Sequence, residues 1–264
     1  MKRLFGIGSF LLCAAPVSLS VSLIAGRAAA EEKTPSAAEI LKLSDQAHGG
    51  FTDLTTESKL IIREPGQDKG REFQFLTISR GNDKRMVRFL APGDVKGMGM
   101  LVEGRDTMYA FLPGFQRVRR LGTHVKNQSF MGSDASFEDM AEGAMTGVYD
   151  AKVVGNEGTD WVLELTLLPG KESEFPKKKI WVDKKIHQLT RIEDYDAKGQ
   201  NVRSQLRTNY KKDEGPVDHY TPGDIKITDH RRNDHSTEII MLSAKVNQNV
   251  PDDVFSQRSL VRGQ

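Results

Sequence analysis

A period of two in the side-chain pattern, held through most of the chain, constrains this protein more than any single motif. In residues 201–210, Val202, Ser204, Leu206, Thr208 and Tyr210 fall on one side and Asn201, Arg203, Gln205, Arg207 and Asn209 on the other. Trp161, Leu163, Leu165 and Leu167 alternate with Val162, Glu164 and Thr166 in the same way. Successive side chains of an extended strand point to opposite faces, so this periodicity predicts strands. Further strands are expected at 56–63, 72–79, 85–90, 98–102, 107–112, 118–121, 148–154, 179–183, 189–195, 224–230 and 238–246. Turn residues separate them, among them Glu64-Pro65-Gly66, Gly81-Asn82-Asp83, Pro113-Gly114, Pro169-Gly170 and Pro222-Gly223. About a dozen strands at this spacing predict an antiparallel sheet large enough to curl.

The period changes to 3.6 at 36–47, where Ser36 and Glu39 form a capping box, Ile40, Leu43 and Ala47 share a stripe, and Gly49-Gly50 ends the helix. A second, short helix is expected after Ser136, capped by Ser136 with Asp139 and stopped by Gly143. Several strands are apolar on both sides. Tyr109 and Phe111 oppose Met108, Ala110 and Leu112, and Met86 and Leu90 oppose Val87 and Phe89. Both faces then need cover, and patterning leaves two arrangements open: a curved sheet with helices on its concave side, or a second sheet packed on the first.

Lys2 and Arg3 precede an apolar run from Leu4 to Ile24, and Ala28-Ala29-Ala30 stands just before Glu31-Glu32. This series predicts a secretory leader over residues 1–30, cleaved after Ala30, with 31–264 as a single domain. Pro16, Gly26 and four serines make the run too polar for a good membrane span. Cys13, the one cysteine, would leave with the leader, so the mature chain offers no thiol for catalysis, metal ligation or disulfide stapling. Losing Lys2, Arg3 and Arg27 lowers 38 basic residues to 35 against 36 acidic, a net charge of −1. A near-neutral chain has no electrostatic reason to seek nucleic acid.

Three Asp-His pairs (Asp218-His219, Asp229-His230, Asp234-His235) do not predict a metal site, because consecutive residues split across a strand. Arg117, Arg119, Arg120 and Lys177-Lys178-Lys179 read as solvated strand edges that discourage edge pairing, with lipid headgroup contact as the lesser reading. The chain has no G-x-S-x-G elbow, and no carboxylate pair says more than surface, so neither enzymatic activity nor a cofactor is expected.

Residues 97–140 carry a denser signal. Gly97-Met98-Gly99-Met100-Leu101, Tyr109-x-x-Leu112-Pro113 and Arg117-Val118-Arg119-Arg120 lead into Ser129-Phe130-Met131-Gly132-Ser133-Asp134 and Phe137-Glu138-Asp139. Ile180-Trp181-Val182-Asp183, Tyr195-Asp196-x-x-Gly199 and Val254-Phe255 follow. Together they resemble the outer membrane lipoprotein-sorting family, distant LolA-like relatives of the periplasmic lipoprotein carrier. The resemblance implies a mainly β fold (α+β), in which a single large curved antiparallel sheet forms an open half-barrel wrapped round a few short helices. It also implies a monomeric periplasmic carrier that moves acylated lipoprotein or lipid-like cargo in an apolar cavity towards the outer membrane. An inner-membrane exporter and an outer-membrane acceptor would be its partners. The alternative is a non-catalytic accessory subunit docking on an exporter of the resistance-nodulation-division type, with its cavity self-filled.

On the curved-sheet reading, one face of the central strands lines the cavity, with Phe89, Met98, Met100, Tyr109, Phe111, Leu163 and Leu165 as candidates. Methionine is flexible and polarisable enough to accept variable alkyl chains. The same residues would equally serve as ordinary core. The loop bearing Ser129, Phe130, Met131, Gly132, Ser133, Asp134, Phe137, Glu138 and Asp139 would be a lid or a docking edge for a membrane partner, or simply a self-satisfied turn.

Overall fold

Ser36 and Glu39 cap each other: the Glu39 N–H donates to Ser36 Oγ at 3.3 Å and the Ser36 N–H donates to the Glu39 carboxylate at 2.7 Å. Helix α1 (Ala37–Gly49) starts there, buries Ile40, Leu41 and Ser44, and leaves Leu43 and Ala47 partly exposed. Its buried stripe is therefore rotated towards Leu41 from the expected one. The computed structural model describes residues 34–262 except 68, 123, 124, 126 and 142; the expected leader and its cleavage point lie outside the described residues.

Strands β1 (Leu54–Arg63), β2 (Arg71–Arg80), β3 (Lys84–Ala91), β4 (Gly99–Glu103), β5 (Met108–Leu112) and β6 (Arg117–Arg120) form one antiparallel meander. After the one-turn helix α2 (Phe137–Ala141), strands β7 (Tyr149–Glu157), β8 (Asp160–Leu167), β9 (Lys177–Asp183), β10 (Leu189–Tyr195) and β11 (Asn201–Thr208) form a second. The expected strands match these within a few residues at each end. Two short strands, β12 (Lys211–Lys212) and β13 (Tyr220–Thr221), make a separate ribbon that no alternation announced.

The last hairpin, β14 (Asp224–Asp229) with β15 (His235–Val246), joins the meanders: β15 pairs with β1 and β14 with β11. The result is one 13-stranded sheet ordered β6-β5-β4-β3-β2-β1-β15-β14-β11-β10-β9-β8-β7, with β6 and β7 as separate edges. The sheet is not closed into a barrel, and it wraps round a few short helices, which settles the choice between one curved sheet and two stacked ones.

Two apolar clusters cover the inner face. α1 supplies Ile40 and Leu41 to Trp161, Leu163, Leu165, Ile180, Val182 and Ile192 of β8–β10. Residues 130–141 supply Phe130, Phe137, Met140 and Ala141 to Leu60, Phe73, Phe75, Val87, Phe89 and Met100 of β1–β4. On the outer face, helix α3 (Gln257–Arg262) packs Leu260, with Phe255, on Met86, Leu101 and Phe111. A Cβ on Gly99 would meet Leu260 Cδ1 at 2.7 Å, so this glycine permits the close approach of α3. Tyr109 and Phe111 belong to this outer cluster. They were expected to line the inner surface, but their register opposite Leu101 and Gly99 turns them the other way.

One strand inverts its expected polarity. On β11 the polar side is buried, with Arg203 at 1% and Gln205 at 4% exposure, while Leu206 is 50% exposed. Burying a guanidinium is unfavourable unless it is paired, and the pairing defines the site described next.

Candidate functional site

Five directly opposed inner-face residues on five neighbouring strands alternate between basic and acidic types. Lys178 on β9 faces Asp194 on β10, Asp194 faces Arg203 on β11, Arg203 faces Asp229 on β14, and Asp229 faces His235 on β15. Cross-strand neighbours sit close enough for opposite charges to attract, so the register itself assembles the row. Lys178 Nζ lies 2.9 Å from Asp194 Oδ1, and Arg203 Nε donates to Asp194 Oδ2 at 2.8 Å. The Arg203 guanidinium also lies 4.4 Å from the centre of the Phe175 ring. Lys178 is therefore a buried partner, not the solvated edge expected of 177–179.

Residues 129–141 dock on this row. Ser136 caps α2, accepting from the Asp139 N–H at 3.2 Å, and Asp139 accepts from the Ser136 N–H at 2.6 Å. The same Asp139 carboxylate takes both terminal nitrogens of Arg203, at 2.6 and 2.8 Å. Burial raises the pKa of Asp139, yet the Arg203 guanidinium outweighs this and holds it at about 2. Arg203 in turn is raised well above its ordinary value, because Asp139 and Asp194 outweigh the burial that opposes its charge.

Asp134 makes the second anchor. Its carboxylate lies 2.7 and 2.8 Å from His235 Nδ1 and accepts from Thr237 Oγ1 at 2.7 Å, and its N–H donates to the same Thr237 oxygen. Arg232 reaches it at 3.2 Å, but burial dominates and raises its pKa. Within the turn, the Phe130 N–H donates to Ala135 O and Ser133 Oγ donates to Phe130 O. Met131 and Gly132 take left-handed backbone conformations that reverse the chain.

The turn carries an apolar plug. Phe130 sits 5.7 Å from the Phe89 ring and 5.4 Å from Phe137, and Phe89 contacts Phe73 and Phe75 in turn. Of the seven predicted lining residues, Phe89, Met98 and Met100 meet under this plug, and Leu163 and Leu165 lie under α1. Tyr109 and Phe111 lie on the outer face, so the seven do not share one surface. Of the predicted loop residues, Phe130, Ser133 and Asp134 are buried, Met131 and Phe137 pack on the plug's cluster, Ser129 donates to Ser133 O, and Gly132 is exposed. Glu138 accepts from the Glu174 N–H and borders a cleft of about 420 Å³ with Arg105, Lys171 and Glu172.

The anchors Arg203, Asp194, Lys178, His235 and Thr237 were not among the predicted residues. For Arg203 the signal was present in the alternation of 201–210, whose charged side reads as solvent-facing unless its partners on other strands are known. Each histidine of the three Asp-His pairs bonds an aspartate other than its sequence neighbour: His219 with Asp213, His230 with Asp234, and His235 with Asp134. Among the described residues no group of three or more His, Cys, Asp or Glu could hold a metal ion. No helix among them is long and apolar enough to cross a membrane.

Comparison with known proteins locates this architecture. None of the curated proteins matches the chain. A DUF1329 family protein from Desulfovibrio piger is 25% identical, with a TM-score of 0.78 over 85% of this chain and 97% of that one. A lipoprotein-sorting protein domain from Vibrio parahaemolyticus is 23% identical, with a TM-score of 0.76 over 86% and 98%. A LolA superfamily protein from Nitrosomonas europaea is 20% identical, with a TM-score of 0.70 over 85% and 99%. The fold is thus LolA-like, as the sequence motifs implied. A family model, DUF1329-like and described as that of an uncharacterized protein, matches residues 81–262, more than half of the sequence, and the chain belongs to that family.

Proposed function

We propose that this protein is a periplasmic carrier of acylated or lipid-like cargo, exported by a leader removed after Ala30, with 31–264 as its working domain. The observation that carries this reading is the plug. An apolar inner surface bearing Phe73, Phe75, Phe89, Met98 and Met100 is covered by Phe130, Phe137 and Met140 from a segment with only one turn of helix. That segment is held by two carboxylate anchors, so its apolar side chains can be exchanged for alkyl chain once the anchors release. Leu163 and Leu165, under α1, would stay covered.

The chemistry needs no nucleophile, metal or cofactor. Moving an acyl chain from a bilayer into water costs about 0.8 kcal/mol per CH₂, so a chain of roughly fifteen carbons costs on the order of 12 kcal/mol. A protein surface that replaces water removes most of that barrier. Its partners would be an inner-membrane exporter and an outer-membrane acceptor, with the turn at Ser129–Asp134 as the docking edge. The LolA-like fold of the structural relatives supports the same reading. Native mass spectrometry and lipid extraction of protein purified from its own envelope test it. Bound acyl species are expected; protein that is consistently lipid-free and refuses added acyl chains sinks the carrier.

A further inference from the structure

Two arginines on the inner side of β11 have opposite surroundings. Arg203 has two carboxylates. Arg207, two side-chain repeats further along the same face, has none within ion-pair distance among the described residues. Its one hydrogen bond is a 3.3 Å contact from a terminal nitrogen to Gln205 Oε1, and its Nε is buried without a partner. A guanidinium N–H that is withdrawn from water and left unused is costly to a folded chain, and here it belongs to a side chain that is otherwise partly exposed.

The register shows what lies beside it. Arg207 faces Ile225 on β14, which faces Ile239 on β15, which faces Leu60 on β1, which faces Phe73 on β2. Four strand spacings of about 4.8 Å make an unbroken apolar row roughly 19 Å long that begins at the arginine. Ile225 and Ile239 remain partly exposed on this face, whereas Leu60 and Phe73 are buried beneath the plug. A cation thus stands at the open end of an apolar track whose far end the plug covers.

Charges of both signs stand near that end, Arg85 beside His48 and Asp213 on His219. Burial, together with the charges of Arg207, Arg85 and His219, pushes His48 at the end of α1 down to about 3. His48 is therefore neutral at ordinary pH. His219, bonded through Nδ1 to Asp213, keeps its Nε2 buried and unpartnered and borders a second cleft of about 420 Å³ with Gln46 and Gln188.

We infer that Arg207 receives the anionic headgroup of a single-chain amphiphile, a carboxylate or a phosphomonoester, whose alkyl tail lies along Ile225, Ile239 and Leu60. The guanidinium fork matches two oxygens of either headgroup. This rests on the carrier reading and adds a charge requirement to it: cargo is selected by its head as well as by its tail.

The test compares palmitate, hexadecyl phosphate and uncharged hexadecanol on the full chain by native mass spectrometry and fluorescent-lipid displacement. Wild type is expected to bind at least one anionic probe ten-fold or more tighter than hexadecanol. Arg207→Gln should abolish that preference while leaving hexadecanol binding unchanged, which also shows that the variant is folded; Arg207→Lys should keep most of it. The palmitate and phosphate arms identify the headgroup. Equal retention of charged and uncharged probes, or indifference of the anionic probes to Arg207→Gln, overturns the headgroup site and leaves the carrier standing. Retention of no alkyl probe overturns both.

Discussion

The two halves of the inner face are closed by different means. Over β7–β10, α1 brings thirteen residues of self-bonded helix and sets Ile40 and Leu41 among the apolar side chains of β8–β10, while Asp45 and the Gln188 amide bond the helix to its surroundings. Over β1–β4 the cover is a turn and five residues of helix, with apolar side chains above and two buried carboxylates at its base. Apolar attraction is non-directional, so the packing of Ile40 and Leu41 does not hinge on the orientation of one contact. Ion pairs in a dry interior are directional, and each fails when one partner goes. The two covers should therefore respond differently to the loss of a single side chain.

The sharpest way to break this contrast is Arg203→Met. It strands Asp139 without its cation and leaves Asp194 with Lys178 alone, and the loss of a buried partner is expected to cost about 3–5 kcal/mol in chemical denaturation. Hydrogen exchange should rise across 129–141 while α1 stays protected. Equal loosening of both covers would show that they are one unit. Ile40→Ala is the converse test. It should cost about 2–4 kcal/mol by removing core volume, with no change in exchange at 129–141.

The third test uses pH. Asp139 is held at about 2 in the folded protein against an ordinary 3.8, so its contribution is complete above about pH 4 and disappears as pH falls through 2. The shift corresponds to about 2 kcal/mol. Asp139→Asn should remove that part of the acid dependence. Asp134 works in the opposite direction, because its raised pKa means that protonation favours the fold. A wild type and an Asp139→Asn variant with parallel stability–pH curves between pH 5 and 2 would dismiss Asp139 as an electrostatic anchor.

Much of the architecture was legible because the alternation states which residues share a face. The capping box at Ser36 and Glu39 set the start of α1, and thirteen of the strands lie close to the expected segments. Legibility failed where a face could not be assigned to inside or outside. The side of β11 bearing Arg203 and Gln205 reads as solvent-facing, and only the register with Asp194 and Asp229 shows that it is inner. Phe111 failed for the converse reason: it is apolar as expected, but α3, nearly 150 residues downstream, covers it on the outer face. The loop 129–139 was recognisable as special, yet its anchors come from β11 and β15, the fifth and ninth strands after it, where no local pattern reaches.

The place of β15 has a consequence for how the chain assembles. Each meander is stitched by neighbours in sequence, but the seam between them, Leu54 against Val246 and onward, joins the first strand to the last. Local pairings close quickly, whereas contacts between distant segments wait on the loss of chain entropy they demand. A chain delivered from its N-terminus would therefore hold two half-sheets with raw inner margins until the final hairpin arrived. During that interval, guarding those margins from each other's copies would fall to whatever receives the emerging polypeptide.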